Sequence, residues 1–266
     1  MKIATWNVNS IKVRLAAVLD WLDVSKPDVL LLQEVKTTDD KFPALEFETR
    51  GYTVAVHGQK TYNGVAIISR HKLSNVQVGL PGDENDEQAR YLEASLDASG
   101  ENARVASVYL PNGNPVDSDK FLYKLAWMER LVQHAHGLLA REQEVILCGD
   151  FNVIPSDGDC YDPAAWEGDA LAHPDSRARF RALLNLGYTE AWRALHGETQ
   201  VYTHWDYQHG AWSRDEGIRI DHFLLSPQAV DRLRECEIDR GPRGRPRASD
   251  HTPIWCKLGP PPTTKI

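Results

Sequence analysis

The chain is predicted to fold as an α/β protein in which two mixed β-sheets pack face to face with helices outside. Three observations point there. Strand-like and helix-like segments alternate along the 266 residues, with no low-complexity linker before Pro260-Pro261-Pro262. Turn dipeptides, Asn63-Gly64 and Pro81-Gly82, sit between consecutive strand-like stretches, as hairpins require. A strand–helix–strand unit occurs in each half, and both copies deliver polar residues at strand ends. Hairpins and helical connections together give mixed sheets whose apolar faces must be covered. The two halves share this scheme without a detectable sequence repeat.

Taken in order, Ile3-Ala4-Thr5-Trp6 reads as a strand that stops at Asn7. Leu15, Val18, Leu19 and Leu22 recur at helical spacing, and Lys26-Pro27-Asp28 breaks that helix. Val29-Leu30-Leu31-Leu32 is a continuous apolar run with the length of a buried strand, ending at Gln33-Glu34. Further strands are expected at Tyr52–Val56, Val65–Ser69, Tyr91–Leu96 and Val105–Leu110. The second unit comprises a strand ending at Tyr109, a helix from about Asp119 to Leu139, and a buried strand Val145–Leu147 before Gly149-Asp150. Ile218–Leu225 and Pro253–Leu258 are the last strands expected.

Hydrophobic residues make up 42% of the chain and charged residues 26%, ordinary for a globular protein with a sizeable core. No apolar stretch reaches the roughly 18 residues that suggest a membrane span. The start, Met1-Lys2-Ile3-Ala4-Thr5-Trp6-Asn7, lacks the apolar block of a signal peptide. Cys148, Cys160, Cys236 and Cys256 are scattered, with neither a CxxC pair nor zinc-ligand spacing, which predicts reduced thiols and a cytoplasmic protein. The net charge of −8 runs against a nucleic-acid partner, because phosphate binding favours a basic surface. A divalent-metal site weakens that objection, since it concentrates carboxylates whose charge the metal cancels. So does the acid-free run from Arg240 through Arg243 and Arg245 to Arg247, just ahead of Ser249-Asp250-His251. A solvated loop is the alternative reading of that run.

Five segments beside apolar strands contribute polar side chains: Thr5-Trp6-Asn7-Val8-Asn9, Leu32-Gln33-Glu34-Val35-Lys36, Val108-Tyr109-Leu110-Pro111-Asn112-Gly113, Gly149-Asp150-Phe151-Asn152 and Ser249-Asp250-His251. A sixth, Arg219-Ile220-Asp221-His222, places a carboxylate in a strand that otherwise reads as buried, so Asp221 needs a donor nearby. Singly, each has an ordinary explanation as a turn, cap or surface residue. Together they supply hard oxygen ligands without cysteine, a set that suits magnesium or manganese. Glu34 and Asp250 are natural metal carboxylates, and Asn7 offers a neutral oxygen. A histidine with a second, buried carboxylate has its tautomer fixed. Asp150 is then free to orient or deprotonate a water, which is what phosphodiester hydrolysis needs.

In this order, the segments resemble the exonuclease III class of AP endonucleases, within the endonuclease/exonuclease/phosphatase superfamily. The match runs nearly end to end, from Trp6-Asn7-Val8-Asn9 to Ser249-Asp250-His251-Thr252-Pro253. Tyr109-Leu110-Pro111-Asn112-Gly113 and Gly217-Ile218-Arg219-Ile220-Asp221 are similar to the DNA-repair branch specifically. The resemblance implies a four-layered αββα sandwich over residues 1–258, a short tail at 259–266, and a site at one end of the two sheets. It implies Mg2+-dependent hydrolysis of DNA on the 5′ side of an abasic site, with 3′→5′ exonuclease and 3′-end repair activity. By motif position Glu34 would hold the metal (Mg2+, or Mn2+; one ion or two), with Asn7 and Asp250 in or near its shell. Asp150, Asn152 and His251 complete the wider metal set. Asp150 would activate the attacking water and Asn152 would position it. His251, oriented by Asp221, would contact the scissile phosphate, and Tyr109 would support the phosphate or the leaving oxygen. Asn112 and Arg90 would touch the DNA backbone, as would Arg243, Arg245 and Arg247. Trp212 would stack on or wedge beside an extruded nucleotide, or pack on its own loop; Trp205 would wall a pocket for the base-free sugar, or serve as a core tryptophan, the more frequent case. Asn9 stands where some relatives carry an acid.

Two other readings compete. A phosphatase for lipid or inositol phosphates could use the same scaffold, but no signal peptide, disulfide pattern or hydrophobic docking loop is visible. A non-catalytic DNA-binding module would be expected to have lost site residues, whereas every expected position is filled. The partner expected is double-stranded DNA with abasic sites or blocked 3′ ends. A monomer suffices for this chemistry.

Overall fold

In the computed structural model, residues 1–98 and 101–260 are described; of the expected tail, 261–266 lie outside the described residues. The chain opens with β1 (Lys2–Asn7), α1 (Ile11–Ser25) and β2 (Val29–Gln33). β1 and β2 run parallel, from Ile3 opposite Val29 to Asn7 opposite Gln33. Side chains alternate across a strand, which explains the unbroken apolar run. Val29 and Leu31 face the centre of the sandwich with Ile3, while Leu30 and Leu32 face α1 with Trp6, Val18 and Leu22. Each fully buried side chain of this kind contributes roughly 1.5–3 kcal/mol. α1 ends at Lys26, which is left-handed (φ +46°) and donates its backbone N–H to Leu22 O, and Pro27 follows.

α2 (Ala44–Glu48), β3 (Thr53–His57) and β4 (Val65–Ser69) complete the first half. The second begins with a meander, β5 (Lys72–Val78), β6 (Tyr91–Ala98) and β7 (Glu101–Tyr109). α3 (Asp119–Leu139) then crosses to β8 (Glu144–Asp150), which pairs parallel to β7 up to Tyr109 opposite Asp150. α4 (Pro174–Asn185), β9 (Thr189–Glu190), α5 (Ala191–His196) and α6 (Ala211–Arg214) follow. The last elements are β10 (Asp221–Leu225), α7 (Pro227–Val230), β11 (Leu233–Ile238) and β12 (Ile254–Leu258).

The sheets have strand orders β11-β12-β1-β2-β4-β3 and β5-β6-β7-β8-β10-β9. Their inner faces meet in a core that includes Ile3, Leu31, Ile67, Leu92, Val105, Ile146, Phe223 and Ile254. α1 and α2 cover one outer face, and α3 and α4 the other, with Trp127, Leu131 and Phe180 packed on Val108 and Leu147. The arrangement is the expected four-layered sandwich. No helix among the described residues is long and apolar enough to cross a membrane.

Three strands depart from expectation by being present, the two-residue β9 and the longer β5 and β11, and one by being shorter. β5 and β11 are edge strands with exposed charged or polar positions, so neither carries the apolar pattern of a buried strand. Regular pairing in the Ile218–Leu225 stretch begins only at Asp221. Before it, Ile218 bridges singly to Cys160 and His204, and Arg219 turns its side chain into a buried acidic cluster.

Candidate active site

Parallel β1, β2, β7 and β8 all end at one edge of the sandwich, and antiparallel β10 and β12 begin there. This topology gathers Asn7, Glu34, Tyr109, Asp150, Asp221 and the Asp250-His251 pair from across the chain. Strand ends are rigid mounts for such groups. The β2 end is tied to its neighbour β1 and to the opposite sheet: the Gln33 amide donates to Thr5 Oγ1 on β1 and to Ser107 Oγ on β7, both at 2.9 Å. Gly149 (φ +147°) precedes Asp150, and a Cβ there would lie 2.0 Å from Val108 O. Only glycine lets β8 approach β7 this closely beside the carboxylate. Asn9, Glu34, Lys36 and Asn152 all adopt left-handed φ between +43° and +52°. Strain of this kind persists where surrounding structure holds it, and it gathers at functional sites.

The Asn7 amide is the hub. Its Nδ2 donates to Glu34 Oε1 (2.8 Å) and to Asp150 Oδ2 (2.9 Å), while its Oδ1 accepts from the Asn9 backbone (3.0 Å). Asp150 Oδ1 accepts the Asn152 backbone N–H at 2.9 Å. His251 Nδ1 lies 2.8 Å from Asp221 Oδ2, and its Nε2 lies 3.7 Å from Asp150 Oδ2. Asp221 Oδ1 is buried and has no hydrogen-bond partner.

The electrostatics follow from this crowding. Burial pushes the Asp150 carboxyl well above the ordinary range, and Asp221 adds to the rise against the pull of His251. Burial alone would lower His251, but Asp221 and Asp150 outweigh it and raise its pKa, so the imidazole is kept charged. Burial also acts on Glu34, yet Lys36 and the Asn7 hydrogen bond hold it below its usual value. Asp250 is likewise held low, because His204, His251 and Asn9 overcome its desolvation. Tyr109 stays a phenol: burial, then the Glu34 charge, raise its pKa far beyond neutrality.

The other side chains expected to meet DNA divide. Arg90 lies over the Tyr109 ring at 4.8 Å, and the exposed Asn112 donates to Asn152 Oδ1 at 3.3 Å. Arg245 and Arg247 are exposed at the rim. Arg243 differs: it is buried, and its guanidinium donates to the carbonyls of Trp205 and Asp206, so it clamps a loop. Trp205 differs too. It is fully buried, its indole donates to Asp215 at 3.0 Å, and it presents no surface for a sugar. Trp212 packs edge-on against Trp205 at 4.8 Å, with Arg240 and Arg243 over its ring. In this structure it is therefore held by its own loop.

Four further residues, to which the sequence assigns no role, join the site. Lys36 bonds Glu34 Oε2 (2.8 Å) and Asn9 Oδ1 (2.6 Å). Arg14 reaches Asn9 O and Tyr207, bracing the rim. Lys124 is fully buried and donates to the carbonyls of Asn112 (2.9 Å), Asn152 (2.7 Å) and Ala170 (3.2 Å). A sequence signal for it exists: it interrupts the apolar stripe of α3 between Phe121 and Met128. His204, 3.6 Å from Asp250 Oδ2, has no such local signal.

The donor set fits a hard divalent cation. Glu34, Asn7 and Asp250 offer oxygens, and the Lys36 ammonium already finds cation-binding oxygens on Glu34 and Asn9. The Asn152 side chain is instead engaged with Leu110 O and Asn112.

Comparison with known proteins finds relatives along nearly the whole chain. The model of the endonuclease/exonuclease/phosphatase family matches residues 4–251. Exodeoxyribonuclease III of Haemophilus influenzae is 29% identical over 266 residues, covering 97% of this chain and all of that protein. The 3′ phosphatase NExo from Neisseria, solved with a product DNA hairpin, is 41% identical with a TM-score of 0.93, covering 97% of this chain and 99% of its own. An AP endonuclease from Archaeoglobus fulgidus is 36% identical with a TM-score of 0.92, at the same coverage.

Proposed function

The chain belongs to the endonuclease/exonuclease/phosphatase family, and from that membership and the site's geometry we propose that it is a magnesium-dependent DNA repair nuclease. It cleaves the phosphodiester 5′ to an abasic site and trims or unblocks 3′ ends. The observation that carries the proposal is the buried chain Glu34–Asn7–Asp150–His251–Asp221, which sets a metal-binding oxygen, a base and a charged donor side by side.

Glu34, with Asn7 and Asp250 near it, would hold Mg2+, whose charge offsets that developing on the phosphoryl oxygens. Asp150 accepts the proton of the attacking water; its raised pKa brings it toward the working range of a base. The Asn152 side chain, one of its amide hydrogens spent on Leu110 O, keeps the other for that water or for the phosphate. His251, protonated and fixed through Nδ1 by Asp221, presents Nε2–H to a phosphate oxygen. The P–O3′ bond breaks, leaving a 3′-hydroxyl, and the Tyr109 phenol supports the departing oxygen as a donor. Arg90, Asn112, Arg245 and Arg247 contact the DNA backbone. The carboxylates gathered at the metal account for part of the net charge of −8.

The names of relatives favour both ends of this activity: an AP endonuclease on one side, a 3′ phosphatase on the other. A substrate panel separates them. The protein is incubated with a duplex carrying one abasic-site analogue and with a duplex ending in a 3′-phosphate, each with Mg2+ and then with EDTA. Metal-dependent processing of either supports the proposal, and their ratio sets the balance. Processing of neither, with release of phosphate from inositol phosphates, replaces it with the phosphatase reading.

A further inference from the structure

Lys124, on α3, is a fully buried cation whose ammonium meets main-chain oxygens: the carbonyls of Asn112 at 2.9 Å, Asn152 at 2.7 Å and Ala170 at 3.2 Å. We infer that Lys124 is a positioning residue for cleavage, which clamps the loops that follow β7 and β8 and so sets the aim of the Asn152 amide. The inference rests on the nuclease reading for the reaction it serves, and on geometry alone for the clamp.

The clamp begins where the sheet gives out. The β7–β8 ladder ends with Tyr109 opposite Asp150, and just past it Leu110 N–H donates to Asp150 O at 2.9 Å. Beyond that point the carbonyls of Asn112 and Asn152 turn inward, where buried acceptors need donors. An ammonium carries three N–H donors and no acceptor, so three carbonyls use it fully. A buried charge is costly unless it is bonded in this way, and an apolar side chain here would leave the carbonyls bare. The stem has room because residue 113 is glycine. A Cβ there would lie 2.5 Å from Lys124 Cδ, and its φ of +91° suits glycine.

The clamped residues are the ones that face the reaction. Asn152 is left-handed at φ +46°, with its backbone N–H on Asp150 Oδ1 at 2.9 Å. Its side chain spans the two loops: Nδ2 donates to Leu110 O at 2.9 Å, and Oδ1 accepts from Asn112 Nδ2 at 3.3 Å. Lys124 therefore fixes, from the core side, the backbones of the two asparagines whose side chains meet at the site. The third carbonyl extends the brace to the segment before α4. Ala170 O also accepts from Ser176 Oγ at 2.7 Å, and Ala170 N–H donates to Asn114 Oδ1 at 3.0 Å. Without the ammonium the Asn152 amide is free to drift, and a misplacement of about 1 Å can cost roughly 100-fold in rate.

The test compares Lys124→Met, which keeps the stem and removes every donor, with Lys124→Gln, which retains two donor hydrogens. Ser176→Ala is the control, because it removes a bond to Ala170 O and leaves both strand-end loops alone. Denaturant unfolding first establishes that each variant is native at the assay temperature. Single-turnover cleavage at saturating DNA with Mg2+ is expected to fall by about 10- to 100-fold in Lys124→Met and by less in Lys124→Gln. DNA affinity should change far less than rate, and Ser176→Ala should cleave at close to the wild-type rate. In protein with isotope-labelled asparagine, without DNA or metal, the side-chain amide signals of Asn112 and Asn152 should move in Lys124→Met and stay in Ser176→Ala. An unchanged rate in folded Lys124→Met overturns the inference. An equal loss in Ser176→Ala overturns it too, as the mark of a loosened core. If Lys124→Met does not fold, Lys124→Gln decides by the same two readouts, and failure of both to fold makes Lys124 a core residue only. Absence of cleavage by the wild type would instead strike the nuclease reading, while the amide signals still test the clamp.

Discussion

Asp150 stands directly opposite Asp221 in the register of β8 and β10, and His251 is held between them, 3.7 Å from one carboxylate and 2.8 Å from the other. Two buried acids around one imidazole favour its charged form and make it costly for both acids to ionise without it. The same arrangement raises the proton affinity of both Asp150 and His251.

Replacing Asp221 with Asn removes the charge that raises the His251 pKa. In metal-free protein, NMR titration should find the His251 pKa lower than in the wild type. Under single-turnover conditions, cleavage should fall by roughly 100-fold or more, the usual scale for a displaced acid–base group. An unchanged His251 pKa would mean that Asp221 does not set its charge state.

The arginine run should separate into two effects. Arg245→Ala with Arg247→Ala should weaken DNA binding with stability preserved. The dependence of log K on log salt should fall by about 1 for each phosphate no longer neutralised. Arg243→Ala should instead cost about 1–3 kcal/mol of stability by leaving two loop carbonyls without their charged donor. Salt-dependent anisotropy and denaturant unfolding distinguish the two. An unchanged salt slope in the double variant returns Arg245 and Arg247 to a plain solvated loop.

A buried cluster beyond the site should govern acid stability. Arg219 bonds Asp159 at 2.7 Å and Glu190 at 2.9 Å, all three nearly or fully buried. Burial works against Glu190 ionisation, but Arg219 and His222 outweigh it and bring its pKa from 4.5 down to about 2. A depressed folded-state pKa stabilises fully above the unfolded value and loses that contribution as pH falls from about 4.5 toward 2. Glu190→Gln should therefore lower stability at pH 7, by about 3–5 kcal/mol for a broken buried pair. The gap to wild type should shrink across that acid range. Thermal unfolding at several pH values checks this, and a gap independent of pH would rule out Glu190 as its source.

What is legible in the sequence follows from where the physics is local. Apolar runs ending at Asn7, Glu34, Tyr109 and Asp150 announce both the buried strands and the polar edge, because strand burial and strand termination are written in adjacent residues. β5 and β11 carry no such signal, because edge strands face water and hold charges such as Glu235 and Glu237. Arg243 reads as a surface cation, and only the tertiary fold buries it against the Trp205 loop. His204 acquires its meaning from a bridge to His251, 47 residues further along. The Arg219 cluster likewise joins Asp159 and Glu190 from separate segments. Pairings at such range leave no periodic trace in a single chain.

The most direct test of the account is single-turnover cleavage by Asp150→Asn, on whichever duplex the wild type processes with Mg2+, beside the affinity of the variant for that duplex. Asp150 as the water-activating base predicts a loss of about 100-fold or more in rate with DNA affinity close to wild type. Retained cleavage would contradict the assignment, and a parallel loss of rate and affinity would make Asp150 a structural residue.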